Sequence, residues 1–224
     1  QILNGLMMLS MVFVMIIIAI PSAERICELL NENLDLTNPQ KSIWLTEQFY
    51  KGSSVNNICG TVLIDEKVNF NLLCTAINIF IKDNDSFRIH LCIDSNGNVK
   101  QYFSDYIEQT FETINISDND DLLTLEHNMA TTPFNILDNN LFDIKPFRFP
   151  NGKGGFVVNT SHLIADACTA SLVASKIINI YSSLLKNEFP SEQPTSYLNY
   201  INSEKEYLSS SKFEKDAEYW DSQF

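Results

Sequence analysis

Hydrophobic and polar positions along this chain change period several times, and each change predicts an element. Gly155-Phe156-Val157-Val158 is a short apolar run with β-branched residues, the pattern of a buried strand. Directly after it, Ala170, Val173, Ile177, Tyr181 and Leu184 recur at helical spacing, which predicts a helix over Thr169 to Lys186. Upstream, Ile58 to Ile64 reads as a strand, and Leu72, Leu73, Ala76, Ile77 and Phe80 mark one face of a helix. Phe87 to Ile93 and Val99 to Phe103 flank Asp94-Ser95-Asn96-Gly97, a hairpin signal because Asn-Gly tolerates positive φ. Thr113 to Ile116 adds a further candidate strand, and Pro190 to Pro194 a loop before a final helix. No internal repeat interrupts this order. The alternation predicts an α/β (α+β) fold, a mixed sheet flanked by helices.

The chemistry-bearing stretch lies between the last strand and the helix that follows it, at Asn159-Thr160-Ser161-His162-Leu163-Ile164-Ala165-Asp166-Ala167. A His at such a junction sits where the chain changes direction and can reach a cleft. An Asp four residues later can fold back to hold the turn. H-x-x-x-D alone occurs by chance in many chains, so its flanks have to carry the argument. His90 falls inside a predicted strand and His127 beside Glu126, both structural or solvated positions. Asp118-Asn119-Asp120-Asp121 reads as a solvated acidic turn, since no EF-hand spacing follows that would favour calcium.

Composition bounds the rest. In 224 residues, 45% hydrophobic and 19% charged, there is material for a globular domain rather than a disordered segment. The formal net charge of −13 excludes a nucleic-acid binder, which needs clustered Lys and Arg, and disfavours anionic membranes. Five scattered cysteines lack metal-site spacing, and an odd count without a framework fits a reducing, cytoplasmic compartment. Cys168 adjoins the His motif, but its place at the start of the helix favours an ordinary helical position over a nucleophile.

One segment stands apart. Leu6 to Ile20 is an almost unbroken apolar run of 15 residues, followed by Pro21-Ser22-Ala23. A membrane span needs about 20 residues. The length suits a signal-peptide core, yet no Lys or Arg precedes it and the chain opens on Gln1. A signal or anchor, the tail of a longer upstream segment and a translation artefact all remain open, so a membrane partner is expected only if the run is real. Residues 1–33 are therefore set apart from 34–224.

The flanks of the motif carry a resemblance. Leu36-Thr37-Asn38-Pro39-Gln40-Lys41-Ser42-Ile43-Trp44 resembles the opening motif of condensation domains of nonribosomal peptide synthetases, in the chloramphenicol-acetyltransferase-like superfamily. Asp83 to Arg88 lies where that family has R-H-x-x-L-R, with only the last Arg kept. Ser161 to Ala167 is similar to H-H-x-x-x-D-G, with Ser161 for the first His and Ala167 for the Gly. Ser196-Tyr197-Leu198-Asn199-Tyr200 and Glu218-Tyr219-Trp220 resemble segments that close the family's first half. The likeness runs in order from Leu36 to Phe224 and implies the N-terminal half of such a domain.

That resemblance implies a function. A donor acyl thioester and an acceptor amine would arrive on phosphopantetheine arms of acyl or peptidyl carrier proteins, with no cofactor bound to the chain itself. An adenylation domain and the second half of the domain would be further partners. His162 would be the catalytic residue, because an imidazole with an ordinary pKa of about 6.5 can take a proton from the amine or hydrogen-bond the tetrahedral species. Asp166 could orient it as in a triad, but the resemblance implies an ion pair with Arg88 that pins the loop. Arg88, Asp166, Ser161 and Ala167 are thus expected to support the site. The half-length implies little activity alone. An acyl-CoA-dependent O- or N-acyltransferase of the same superfamily and a non-catalytic docking module are the alternatives. The charge balance makes one prediction directly. A filter-binding assay at physiological salt should show no salt-sensitive retention of DNA or RNA.

Overall fold

The computed structural model describes residues 33–189 and 196–224. The Leu6–Ile20 run and the Pro190–Pro194 loop lie outside the described residues. The chain divides into Gln1–Leu34 and Asp35–Phe224, and the second unit holds the elements that position the site. Its fold is mixed α/β, with helices against two sheets.

The larger sheet has four strands: β2 (Asn57–Ile64), β5 (Ile114–Asn115), β6 (Phe142–Arg148) and β7 (Gly154–Ser161). Their order is β2-β7-β6-β5, antiparallel except for the short parallel β5–β6 pairing. All eight residues of β7 are buried. Alternate side chains point to opposite faces of a strand, so Phe156 and Val158 join the main core and Val157 joins a second cluster with Phe147 and Met129. Burial on both faces explains why β7 reads as a continuous apolar run rather than an alternation. The smaller sheet contains β1 (Leu34–Asp35), β3 (Ile89–Ile93) and β4 (Val99–Phe103), in the order β1-β4-β3. The expected β3–β4 hairpin forms, with Gly97 at φ +83° and Asp94 accepting from the Asn96 and Asn98 amides at 2.9 and 2.8 Å.

Helix α1 (Asn38–Phe49) opens the unit, and α2 (Phe70–Asp83) buries Leu73, Ala76, Ile77 and Phe80 in the main core. Helix α3 (Asn119–Thr131) covers the opposite side of the four-stranded sheet through Met129. Helix α4 (Ala167–Leu185) buries Val173, Ile177, Ile180 and Tyr181 and packs on α2 and β2. Among the described residues it is the one helix long and apolar enough to cross a membrane; its apolar stripe faces this core. Helices α5 (Tyr197–Leu208) and α6 (Ser211–Asp221) end the chain.

Several elements differ from the sequence reading. The acidic Asp118–Asp121 stretch is a helix start, not a turn. Asp118 accepts from the Asp120 and Asp121 amides, both at 3.0 Å, and the acidic first turn suits the positive end of the helix. Strand β6 was hidden by Pro146 and by charged Asp143 and Lys145. Strand β5 pairs only with Phe147 and Arg148, so a missing N–H at Pro146 breaks no ladder on that edge. A 3₁₀ turn over Asp85–Arg88 takes the start of the run expected as strand from Phe87. Two helices replace one at the C-terminus, separated where Ser210 caps α6 through the Phe213 amide.

Close approach between strands makes Gly155 a testable position. A Cβ there would overlap the Val62 carbonyl of the paired strand. Gly155→Ala should therefore destabilise the protein by about 3 kcal/mol, because backbone on both strands would have to shift. Denaturant unfolding of the two proteins measures it.

Candidate active site at the end of strand β7

Strand β7 ends at Ser161 and delivers His162 to the edge of a cleft of about 700 Å³. Two bonds stop the strand. The Ser161 amide donates to the Leu141 carbonyl and the His162 amide to the Asn56 carbonyl, both at 2.8 Å. The chain then turns, with the Ile164 amide donating to the Ser161 carbonyl at 3.1 Å and the Leu163 amide to the Ser161 hydroxyl at 3.3 Å. Ser161, Leu163, Ile164 and Ala165 are buried while His162 is exposed, so the turn's apolar residues anchor it and the imidazole is turned to the cleft.

Asp166 ends the turn and starts α4. Its Oδ1 accepts from the Thr169 amide and hydroxyl, both at 2.7 Å. These bonds are the main reason its carboxyl lies below the usual carboxylate range; the nearby His162 adds the smallest contribution. Helix α4 accordingly starts two residues ahead of the expected Thr169, with Ala167 as its first residue.

The expected Arg88–Asp166 ion pair does not form. Arg88 Nη1 donates to the Ser104 carbonyl at 3.0 Å, and its Nε is buried without a partner. Ion pairs among the described residues include Lys100–Asp35, Lys145–Asp143 and Lys153–Asp65. The reason is local: the open end of α4 supplies donors three residues from Asp166, and the 3₁₀ turn lays Arg88 against Ser104 in a separate cavity. His90 shares that cavity, stacked on Tyr102 with Nε2 3.1 Å from the Ser104 hydroxyl, and burial lowers its basicity. His127 is exposed on α3, and Cys168 is exposed on α4 without lining the cleft.

The other walls come from distant segments. Pro39, Gln40 and Ile43 of α1 line the cleft, with Phe80 and Asn84 at the end of α2. Asp85 accepts from the Ser196 hydroxyl at 2.6 Å and the Tyr197 amide at 2.7 Å, which brings the start of α5 to the rim. Tyr197 Oη lies 3.4 Å from Thr37 Oγ1. Gln40 Nε2 reaches the Leu163 carbonyl at 3.3 Å and Gln101 Oε1 at 2.9 Å. Three residues here were not singled out from the sequence: Asn56, Gln40 and Gln101. Gln40 lies within the opening motif, and Gln101 was visible only as a polar residue inside a predicted strand.

The condensation-domain family model matches residues 31–224. The chain belongs to the condensation-domain family. Surfactin synthase subunit 1 of Bacillus subtilis is 31% identical over 196 residues, covering 84% of this chain and 6% of that protein. A plipastatin synthase protein of the same organism is 26% identical over 193 residues, covering 84% of this chain and 8% of that one. The solved starter condensation domain of rhizomide synthetase superposes with a TM-score of 0.75 at 21% identity, covering 86% of this chain and 48% of its own. The first condensation domain of the calcium-dependent antibiotic synthetase, in complex with a substrate analogue, also gives 0.75, at 16% identity, over 87% and 49%. The chain thus spans about half of the solved condensation-domain chains and a small part of the synthetase proteins.

Within this condensation-domain fold the motif separates into an exposed imidazole and a turn whose polar groups are mostly engaged. Asp166 makes a testable case. Asp166→Ala should cost about 1 kcal/mol through the lost cap. The lowered carboxyl pKa sets the sign: its contribution is complete above the ordinary carboxylate range, near pH 4, and is lost as pH falls through the folded value. Thermal unfolding of both proteins at neutral and acid pH should show the gap closing in acid.

Proposed function

We propose that residues 34–224 form the N-terminal half of a condensation domain that joins a carrier-bound acyl thioester to an amine. The amine nitrogen attacks the thioester carbonyl, the C–S bond breaks, and an amide and a free thiol result. His162 takes the amine proton or holds it by hydrogen bonding as the tetrahedral species forms, and the proton leaves with the thiol. The observation that carries this reading is His162 at the rim of the cleft where β7 ends, in a chain of this family. Ser161, Ala167 and Asp166 shape the turn that presents the imidazole. Arg88 lies in a separate cavity, bonded to Ser104, and has no part in this scheme.

Substrates on phosphopantetheine arms of acyl or peptidyl carrier proteins, an adenylation domain as neighbour, and a cytoplasmic setting belong to the same proposal. The curated relatives are peptide synthetase proteins, and a variant of the rhizomide starter domain is known in complex with C8-CoA, an acyl pantetheinyl thioester. Positioning two tethered substrates can account for about 7–11 kcal/mol of barrier lowering, so both walls of a channel matter.

The test measures amide formation from pantetheinyl donor and acceptor by this chain and by a version extended through a second half, each with His162→Ala. Turnover should appear in the extended protein, fall at least about a hundredfold in His162→Ala, and be nearly absent in the short chain. Robust His162-dependent turnover by the short chain with acyl-CoA alone would favour a small acyltransferase. Absence of turnover in the extended protein would favour a docking module, and turnover indifferent to His162 would remove His162 from the catalytic role.

A further inference from the structure

We propose that Gln40 and Gln101 form a buried amide clasp that positions His162, with Gln40 reaching the motif turn directly. The two side chains are 3% and 0% exposed, which is unusual for glutamine. Gln40 Nε2 donates to Gln101 Oε1 and Gln101 Nε2 to Gln40 Oε1, both at 2.9 Å. The remaining donors reach main chain: Gln101 Nε2 to the Asp35 carbonyl at 2.9 Å, and Gln40 Nε2 to the Leu163 carbonyl at 3.3 Å. Gln40 Oε1 also accepts from the Thr37 amide at 2.9 Å and hydroxyl at 3.0 Å. Every N–H of both amides is engaged.

A buried polar pair of this kind adds little net stability over apolar side chains of the same size, but when fully satisfied it specifies a single arrangement. Here the arrangement that it specifies is the backbone on either side of the imidazole. The His162 amide is held by the Asn56 carbonyl at 2.8 Å, and the carbonyl of the next residue is held by Gln40. Helix α1, strand β4 and the motif turn are thereby tied at one point, although 61 residues separate Gln40 from Gln101 and 123 separate it from Leu163. Neither glutamine touches the reacting groups in this scheme; both are positioning residues.

Gln40→Glu isolates the effect. The ionised carboxylate keeps the acceptor for Thr37 and Gln101 and satisfies the capping-box position, but loses both donors, including the one to Leu163. Backbone amide exchange of the full chain should show the His162 amide losing protection by about tenfold, while Phe156, Val157 and Val158 keep theirs. Protection should return as pH falls and the carboxyl regains a proton to donate. If the buried carboxylate prevents folding, Gln40→Met, which removes the acceptor together with both donors, is read at the same His162 amide. Uniform loss across β7, or unchanged His162 protection, would overturn the proposal.

The activity arm rests on the functional reading above. In a protein that makes amide, Gln40→Glu should lower kcat about tenfold at unchanged KM, assayed below the variant's own Tm. His162→Ala as control separates the failures. If it leaves turnover untouched, the functional reading falls and the exchange result stands alone. If it abolishes turnover while Gln40→Glu leaves kcat unchanged, the positioning proposal falls.

Discussion

The structure depends on the burial of β7. All eight of its residues are covered, with β2 and β6 on its edges and a core on each face. A strand enclosed in this way has no freedom to slide, because a one-residue slip would exchange Phe156 and Val158 with Val157 across two different cores. The position of His162 follows. It is the first exposed residue after the strand, and the point at which it leaves the sheet is fixed by hydrogen bonds from Ser161 and His162 to Leu141 and Asn56.

Beyond that point the chain is shaped by unsatisfied ends. A helix begins with amides that lack partners, and Asp166 supplies the acceptor for α4. The same need explains Asp118 at α3 and Ser210 at α6. It also explains why Asp166 is unavailable to Arg88: a carboxylate at a helix start is claimed by the nearest donors before a distant guanidinium can compete. The aspartate of the motif therefore caps α4 through Thr169. Removing it tests helix capping as much as catalysis.

The walls around His162 come from segments far apart in sequence. Helix α1 arrives through Gln40, α5 through the Asp85 contacts to Ser196 and Tyr197, and the end of α2 through Asn84. Each of these segments carries a piece of the family resemblance. The motifs at Leu36–Trp44, Asp83–Arg88, Ser161–Ala167 and Ser196–Tyr200 thus each contribute residues to one cleft, and their joint presence means more than any single spacing.

The amino-acid sequence by itself determined the elements with clear periodicity: β2, the α2 face, the β3–β4 hairpin, β7 and α4. Those patterns report burial of one face or two, which is a local property that a single chain displays. It also placed His162 at a strand–helix junction, and the motif flanks carried the family. The tertiary structure decided what depends on partners. Strand β6 was illegible because Asp143, Lys145 and Pro146 break the apolar pattern, and only the extent of β5 makes the proline acceptable. Helix α3 was illegible beyond its acidic start, read as a turn at Asp118–Asp121, because only Leu122 and Met129 are buried on it. Arg88 and Asp166 looked complementary by charge, yet the donors beside Asp166 claimed it first. Gln40 and Gln101 looked like ordinary polar residues, because a hydrogen bond between side chains 61 positions apart leaves no period in the sequence.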